Sequence, residues 1–210
     1  MDLICIDMDN TLIDSDKTHI IGYLYAFKKN KLPKVSIKKI KKYFGLVSSE
    51  IVKNLFPEIS GQKLQKILED NYKYFFKQRH HLKAFRGIKK TLSILNKKYN
   101  LVLISNCSKK EVIASIKKTK INPKLFKLMI GSNEVKRPKP YPDEILLAEK
   151  KLRQKVKFVI GDSPYDIIAG KKAKAKTIAV LTGNHSKKDL EKEHPDFILK
   201  DFNKILKILK

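Results

Sequence analysis

Five short runs of this chain, at 3–6, 101–104, 128–130, 158–160 and 177–181, are apolar at nearly every position and have no polar face to offer water. Strands buried on both sides are built this way, whereas strands with one wet face alternate. Between the runs lie stretches with helical periodicity, at 87–99, 110–119, 141–152 and 165–174. Alternation of buried strands with amphipathic helices predicts an α/β fold, a parallel sheet covered on both faces. In such sheets the reactive groups gather at the carboxyl ends of the strands.

The rhythm fails between residues 15 and 84. No buried strand occurs there; Ile, Leu, Phe and Tyr recur at helical spacing among lysines, with breaks at Leu32-Pro33, Phe56-Pro57 and Ser60-Gly61. Seventy residues are too many for one crossover, so the spacing predicts a helical insertion over the carboxyl edge of the sheet, with 1–14 and 85–210 forming the core. The tail from Asp196 predicts a short strand or turn and a closing helix.

Composition narrows the partners. The 210 residues carry a formal charge of +26, and the basic residues divide into 43 Lys and 4 Arg. Lys is a mobile point charge, whereas Arg reads phosphates and bases through a rigid fork. The lysines are spread over the whole chain, so the charge describes a solvated surface and no specific nucleic-acid partner is expected. No apolar run approaches the roughly 20 residues needed to cross a bilayer, and Met1-Asp2-Leu3 shows no basic leader. Two cysteines, Cys5 and Cys107, make no disulfide framework, which fits a cytoplasmic setting. A monomer or weak homodimer is expected. Residues 17–49 contain no acid, so the insertion is the most electropositive part.

Against this basic background the acids at strand ends stand out. Asp7 and Asp9 follow the first apolar run, and Asp162 and Asp166 follow the fourth. Asp-x-Asp alone is a common surface pattern. Like charges held close at the tip of a buried strand oppose each other's ionisation, and a divalent cation between them reverses the penalty. Asp162 suits a hard cation that takes oxygen ligands, while Ser163 or Asp166 reads equally as a helix cap. Ser105-Asn106 ends the second run; Ser105 alone reads as a helix cap, and amides at a helix start also bind anions. Lys139 lies in Lys136-Arg137-Pro138-Lys139-Pro140-Tyr141-Pro142, where three prolines fix its direction.

Asp7-Met8-Asp9-Asn10-Thr11, Ser105-Asn106, Lys139-Pro140-Tyr141-Pro142 and Gly161-Asp162-Ser163-Pro164-Tyr165-Asp166 together resemble the four sequential motifs of the haloacid dehalogenase superfamily. They stand in the right order, with 98, 34 and 23 residues between successive motifs. The likeness spans essentially the whole chain and is greatest to the phosphoglycolate phosphatase-like subgroup. It implies a Rossmann-like parallel core with a helical cap inserted at 15–84, and a Mg²⁺-dependent phosphatase acting on small phosphorylated metabolites.

In that likeness Asp7 is the nucleophile and Asp9 the general acid–base. Mg²⁺ is held by Asp7, the carbonyl of Asp9 and Asp162, with Asp166 a ligand or one layer out. Ser105 and Lys139 hold the phosphoryl oxygens, helped by Thr11 and Asn106. Asn10 stands where many members have Gly, Ala173-Lys174 where many have Ala-Gly, and Ala84-Phe85-Arg86-Gly87 replaces a Pro-x-Pro-Gly entry. The presence of Asp9 and Asp162 disfavours a dehalogenase. A phosphomutase, a pyrophosphatase or a nucleotide phosphatase would share these motifs; a nucleic-acid-binding protein without catalysis would need none of the acids.

Within the insertion, Gly45 reads as a separator of two helices, although a substrate-facing turn would look the same. His80 and His81 read as surface residues, and Tyr72, Tyr74, Phe75 and Phe76 as the core of the cap.

Overall fold

The computed structural model describes residues 1–209. In chain order the elements are β1 (Asp2–Asp7), β2 (Ile13–Asp14), α1 (Asp16–Lys29), α2 (Ile37–Lys41), α3 (Ser48–Leu55), α4 (Gly61–Gln78), β3 (Lys83–Ala84), α5 (Ile88–Leu95), β4 (Tyr99–Ser105), α6 (Lys109–Thr119), β5 (Phe126–Gly131), α7 (Asp143–Leu152), β6 (Val156–Gly161), α8 (Pro164–Lys172), β7 (Lys176–Val180), α9 (Lys187–Glu191) and β8 (Phe197–Leu199), with short 3-10 turns between some of them. The apolar runs found in the sequence are β1, β4, β5, β6 and β7; the first four strands extend their runs by one or two residues at each end, whereas β7 starts one residue early and stops before Leu181.

Six strands form one parallel sheet in the order β5-β4-β1-β6-β7-β8. The period of two along each strand sends alternate side chains to opposite faces, and both faces are apolar. Ile4, Ile6, Leu101, Leu103 and Ile160 pack with α5, α6 and the chain end. Leu3, Cys5, Val102, Ile104 and Val159 pack with Ile145 and Ala148 of α7 and Ala169 of α8. A strand with two covered faces needs no polar side, which is why these runs read as continuous apolar segments. The tail differs in detail from expectation: β8 is followed by a 3-10 turn, Phe202–Lys207, in place of an α-helix, and its Phe202 and Ile205 complete the first face.

The chain leaves and re-enters this core through β2 and β3, which pair antiparallel, Ile13 opposite Ala84 and Asp14 opposite Lys83. Between them α1–α4 enclose their own apolar cluster of Tyr23, Phe27, Ile40, Ile51, Val52, Leu55 and Ile67. Tyr74 stacks on Tyr25 at a centroid distance of 3.8 Å. Phe75 and Phe76 depart from expectation. Phe75 is buried against the sheet-side cluster with Phe76 beside it, so the end of α4 is fastened to the α/β core and not to the interior of the insertion.

The pairing of α1 with α4 has a polar clasp at its far end. Asp70, buried on α4, accepts from Lys29 Nζ at 2.6 Å and from Asn30 Nδ2 at 2.9 Å. Burial pushes its carboxyl up, but these two donors outweigh that and hold it below its ordinary value. A carboxyl lowered by folding stabilises the protein above its unfolded pKa and loses that contribution as pH falls through the folded value. Asp70→Ala also leaves Asn30 without its partner, so urea unfolding at pH 7 is expected to show a loss of about 1–3 kcal/mol, shrinking toward pH 3.

Among the described residues no helix is long and apolar enough to cross a membrane. Four strand ends, at Asp7, Ser105, Gly131 and Gly161, lie side by side at the carboxyl edge. Successive strands run from β1 to one side through β4 and β5, then resume on the other side with β6, so β1 marks the reversal at which α/β sheets place their ligands.

Candidate active site

A tight turn follows β1. The N–H of Leu12 bonds to the Met8 carbonyl at 3.0 Å and that of Asn10 to the Ile13 carbonyl at 2.7 Å. The turn requires a left-handed residue at position 10, where φ is 53°. Asn accepts this conformation at little cost, which accounts for its standing where glycine is frequent. Asn10 also donates from Nδ2 to Asp16 Oδ1 at 2.8 Å, tying the turn to the start of α1.

Asp7 at the end of β1, Asp162 just after β6 and Asp166 in the first turn of α8 meet, with a carboxylate oxygen from each lying within 4.8 Å of the others. Lys139 is buried beneath them, its Nζ 2.6 Å from Asp7 Oδ1 and 2.6 Å from Asp166 Oδ1. Asp166 serves twice, because its Oδ2 accepts from the Ser163 hydroxyl at 2.6 Å and from the Ser163 N–H at 3.1 Å in a cap for α8. This folding-back is possible only beside a glycine: a Cβ on Gly161 would collide with the Asp166 carboxylate. Thr11 Oγ1 lies 3.3 Å from Asp162 Oδ1 and donates to it.

One ammonium faces three buried carboxylates, and the charges do not balance. Burial raises Asp7 to about 8 against the pull of Lys139, with Asp166 and Asp9 adding to the rise. Asp162 is raised well above its ordinary value by burial and by Asp7 and Asp166. Burial opposes the charge of Lys139, but Asp166, Asp7 and Glu144 outweigh it and hold the ammonium charged. The surplus of buried negative charge and the all-oxygen donor set fit a hard divalent cation such as Mg²⁺.

Asp9 has a different environment. His19, from α1, places Nε2 3.3 Å from Asp9 Oδ1. The Ser105 hydroxyl and the Cys107 thiol each lie 3.3 Å from Asp9 Oδ2. Burial pushes Asp9 up, yet the hydrogen bond and charge of His19, with a further bond from Cys107, bring it down to about 2. Burial likewise opposes protonation of His19, and Asp9 more than reverses this, raising it above its ordinary value. Each side chain thus favours the charged form of the other.

The insertion closes over these groups. A cavity of about 60 Å³ lies between them, room for a few water-sized groups; Tyr23, Phe44, Leu46, Ser48 and Ile51 form its far wall. Gly45, at φ 99°, lines this cavity as well as separating α2 from α3, and a side chain there would strike Ser163 and Tyr165. Asn106 Nδ2 donates to the Gly45 carbonyl at 2.6 Å and to the Lys139 carbonyl at 2.9 Å, and His185 Nε2 donates to the Phe44 carbonyl at 2.9 Å.

All eight residues singled out in the sequence thus converge on one edge. Asp7, Asp9, Ser105, Asn106, Asp162 and Asp166 line the cavity, whereas Thr11 and Lys139 lie behind it and hold carboxylates. Ser105 is the last residue of β4 and not a helix cap; Ser108 caps α6, exchanging bonds with Glu111. His80 and His81 lie away from the site. His19 and Cys107 had not been singled out. A lone histidine on a lysine-rich helix carries no local signal, although its place one turn into the helix after the Asp7–Asp9 turn aims it back at the strand tip.

The family model for haloacid dehalogenase-like hydrolases matches residues 4–180. A pyrophosphatase PpaX of Oceanobacillus iheyensis is 27% identical over 212 residues, covering 98% of this chain and 95% of its own length. A PpaX of Bacillus pumilus is 24% identical, covering 97% and 94%. Two crystal structures share the fold throughout: a hydrolase from Pseudomonas syringae, with TM-score 0.90, 22% identity and coverage of 100% and 98%, and a predicted phosphoglycolate phosphatase from Haemophilus somnus 129pt, with TM-score 0.88, 23% identity and coverage of 100% and 98%. With the match running from β1 to the end of β7 and so including every acid of the site, the chain belongs to the haloacid dehalogenase-like hydrolases.

Proposed function

We propose that this hydrolase is a Mg²⁺-dependent phosphatase for small phosphate monoesters, working through a phosphorylated Asp7, with residues 15–84 as its cap and 1–14 plus 85–210 as its core. The observation that carries this reading is the pairing of two unlike acids at one strand end: Asp7 in the charge-surplus cluster and Asp9 in an ion pair with His19. Asp7, the Asp9 carbonyl and Asp162 would hold the cation, with Asp166 beside them, and the cation would neutralise charge on the transferring phosphoryl group.

In the first half-reaction a carboxylate oxygen of Asp7 forms a bond to phosphorus as the ester P–O bond breaks. The leaving oxygen takes a proton by way of Asp9. Because Asp9 sits at about 2, His19, whose Nε2 is 3.3 Å away and whose pKa Asp9 raises, would supply that proton through the carboxylate. In the second, Asp9 accepts a proton from water as water attacks phosphorus and the Asp7–phosphorus bond breaks. Ser105 stands at the neighbouring strand end to meet the phosphoryl oxygens, and Asn106 braces the closed insertion through Gly45.

The far wall favours a compact alcohol as leaving group, phosphoglycolate being the first ester to test. It carries the hydroxyls of Tyr23 and Ser48 among apolar Phe44, Leu46 and Ile51, and among the described residues His19 is the one basic side chain lining the cavity. The PpaX relatives favour a second reading, hydrolysis of pyrophosphate, whose leaving phosphate would call for more positive charge. A panel of short phosphate esters and pyrophosphate, assayed with Mg²⁺ and with EDTA, separates them: higher kcat/KM for an ester supports the first reading, higher kcat/KM for pyrophosphate the second, and EDTA-insensitive turnover removes the cation from both. Gly161→Ala is expected to displace Asp166 and to raise the Mg²⁺ concentration for half-maximal activity at least about tenfold.

A further inference from the structure

We propose that Asp9, His19 and Cys107 form a second metal site, selective for a thiophilic divalent cation such as Zn²⁺, and that filling it locks the insertion onto the core and stops turnover. The effect on turnover rests on the reading of Asp9 given above; the binding itself does not.

The three side chains are arranged for it. Asp9 turns Oδ1 to His19 Nε2 at 3.3 Å and its other oxygen, Oδ2, to Cys107 Sγ at 3.3 Å, Cys107 Sγ is 3.9 Å from His19 Nε2, and one ligand atom from each residue lies within 4.8 Å of the others. A tetrahedral Zn²⁺ with bonds of about 2.0–2.3 Å spaces its ligands about 3.3–3.7 Å apart, so small rotations of these side chains suffice. Among the described residues two groups of side chains have a metal-ligating spacing, and their chemistry is opposite. Asp7, Asp162 and Asp166 offer oxygen alone, the donor of Mg²⁺; Asp9, His19 and Cys107 offer oxygen, nitrogen and sulfur, the set that selects Zn²⁺ over Mg²⁺. All three of the latter line the cavity, so a fourth position is open to water.

They also come from three separate parts of the chain: the turn after β1, helix α1 of the insertion and the segment after β4. A metal bound to all three ties α1 to two strand ends. Binding replaces the Cys107 S–H bond by an S–Zn bond and sends the thiol proton to solvent, together with the His19 proton where the imidazole is charged. No electrons are transferred. With Asp9 and His19 both ligating, neither is free to carry a proton to the leaving oxygen.

The test uses the full chain, stripped of metal and then held in millimolar Mg²⁺ to satisfy the carboxylate cluster. Titration with Co²⁺ should give a thiolate-to-cobalt charge-transfer band saturating at one equivalent, and Zn²⁺ should bleach it. Cys107→Ser and Cys107→Ala should lose the band, with Zn²⁺ affinity reduced at least about tenfold; His19→Gln should weaken binding and keep the band. Thermal melts of each variant show that the fold is retained. Absence of the band, or its persistence in both Cys107 variants, overturns the site. So does displacement of Co²⁺ by added Mg²⁺, since that assigns binding to the oxygen cluster. These spectra need no turnover, so failure of the phosphatase reading would leave them unchanged.

Discussion

Asp7→Asn should lower phosphatase turnover by at least about 10⁴-fold, the scale of loss when a covalent nucleophile is removed, and should make the metal-free protein more stable. Both effects come from the same crowding. Three buried carboxylates share one ammonium, and burial together with Asp166 and Asp9 holds Asp7 at about 8 although Lys139 pulls it down. A carboxyl whose folded pKa lies above its unfolded value of 3.8 costs stability once the unfolded chain ionises, and the cost grows until pH passes the folded value. The amide has no such titration and still accepts a hydrogen bond from Lys139. The gain in Tm in EDTA should therefore be absent near pH 4 and fully developed by about pH 8, at roughly 2–4 °C for each kcal/mol relieved. An unchanged or lower Tm at pH 8 would mean that Asp7 is not held under strain of charge, and undiminished turnover would remove it from the chemistry. Saturating Mg²⁺ should shrink the difference, because the cation relieves the same repulsion in the parent protein.

The second large effect lies outside the chemistry. Glu144, in the first turn of α7, is completely buried and no side chain donates to its carboxylate, which has only the backbone N–H of Lys139 near it. Burial raises it to about 7 from an ordinary 4.5, with Lys139 offsetting only part; a displacement of that size corresponds to on the order of 3 kcal/mol. Again the folded pKa is the higher one, so the penalty is absent below about pH 4, grows toward pH 7 and is constant above it. Glu144→Met keeps the volume and removes the buried charge. Chemical denaturation should show a gain of about 1–3 kcal/mol at pH 8, after allowing for the lost attraction to the helix N-terminus, and little change at pH 4. A loss of stability at pH 8 would show that Glu144 is satisfied by a partner and contributes to the fold.

These cases show which parts of the molecule are legible in its sequence. The sheet was, because a strand covered on both faces has nowhere to hide a polar residue, and β1, β4, β5, β6 and β7 carry that constraint in apolar runs of three to five letters each. The acid-bearing edge was legible for a related reason: acids that follow such strands stand at the carboxyl end of the sheet whatever else the chain does. The order of the motifs around Asp7, Ser105, Lys139 and Asp162 then needs no knowledge of the insertion.

Contacts that depend on tertiary placement were not legible. His19 acquires its partner only because α1 turns back over the Asp9 loop, and Cys107 meets Asp9 because β4 lies next to β1. Phe75 and Phe76 read as interior to the insertion, since periodicity shows that a helix face is apolar and not which body covers it. Glu144 stands in the first turn of α7, where an acid is ordinarily favoured, and no local pattern marks its burial. Ser108 and Glu111 have the spacing of a capping box, a local signal that places the start of α6 beyond Ser105 and frees Ser105 for the strand end.

The most direct test of the account is to find the phosphoryl group on Asp7. Rapid acid quench of the Asp9→Asn variant with Mg²⁺ and a good ester substrate, followed by peptide mass spectrometry, should show one phosphoryl increment on the peptide containing Asp7, because loss of Asp9 leaves no base to activate water and the intermediate accumulates. Phosphate release with no modified peptide at any quench time, or a phosphoryl group on another residue, would contradict it.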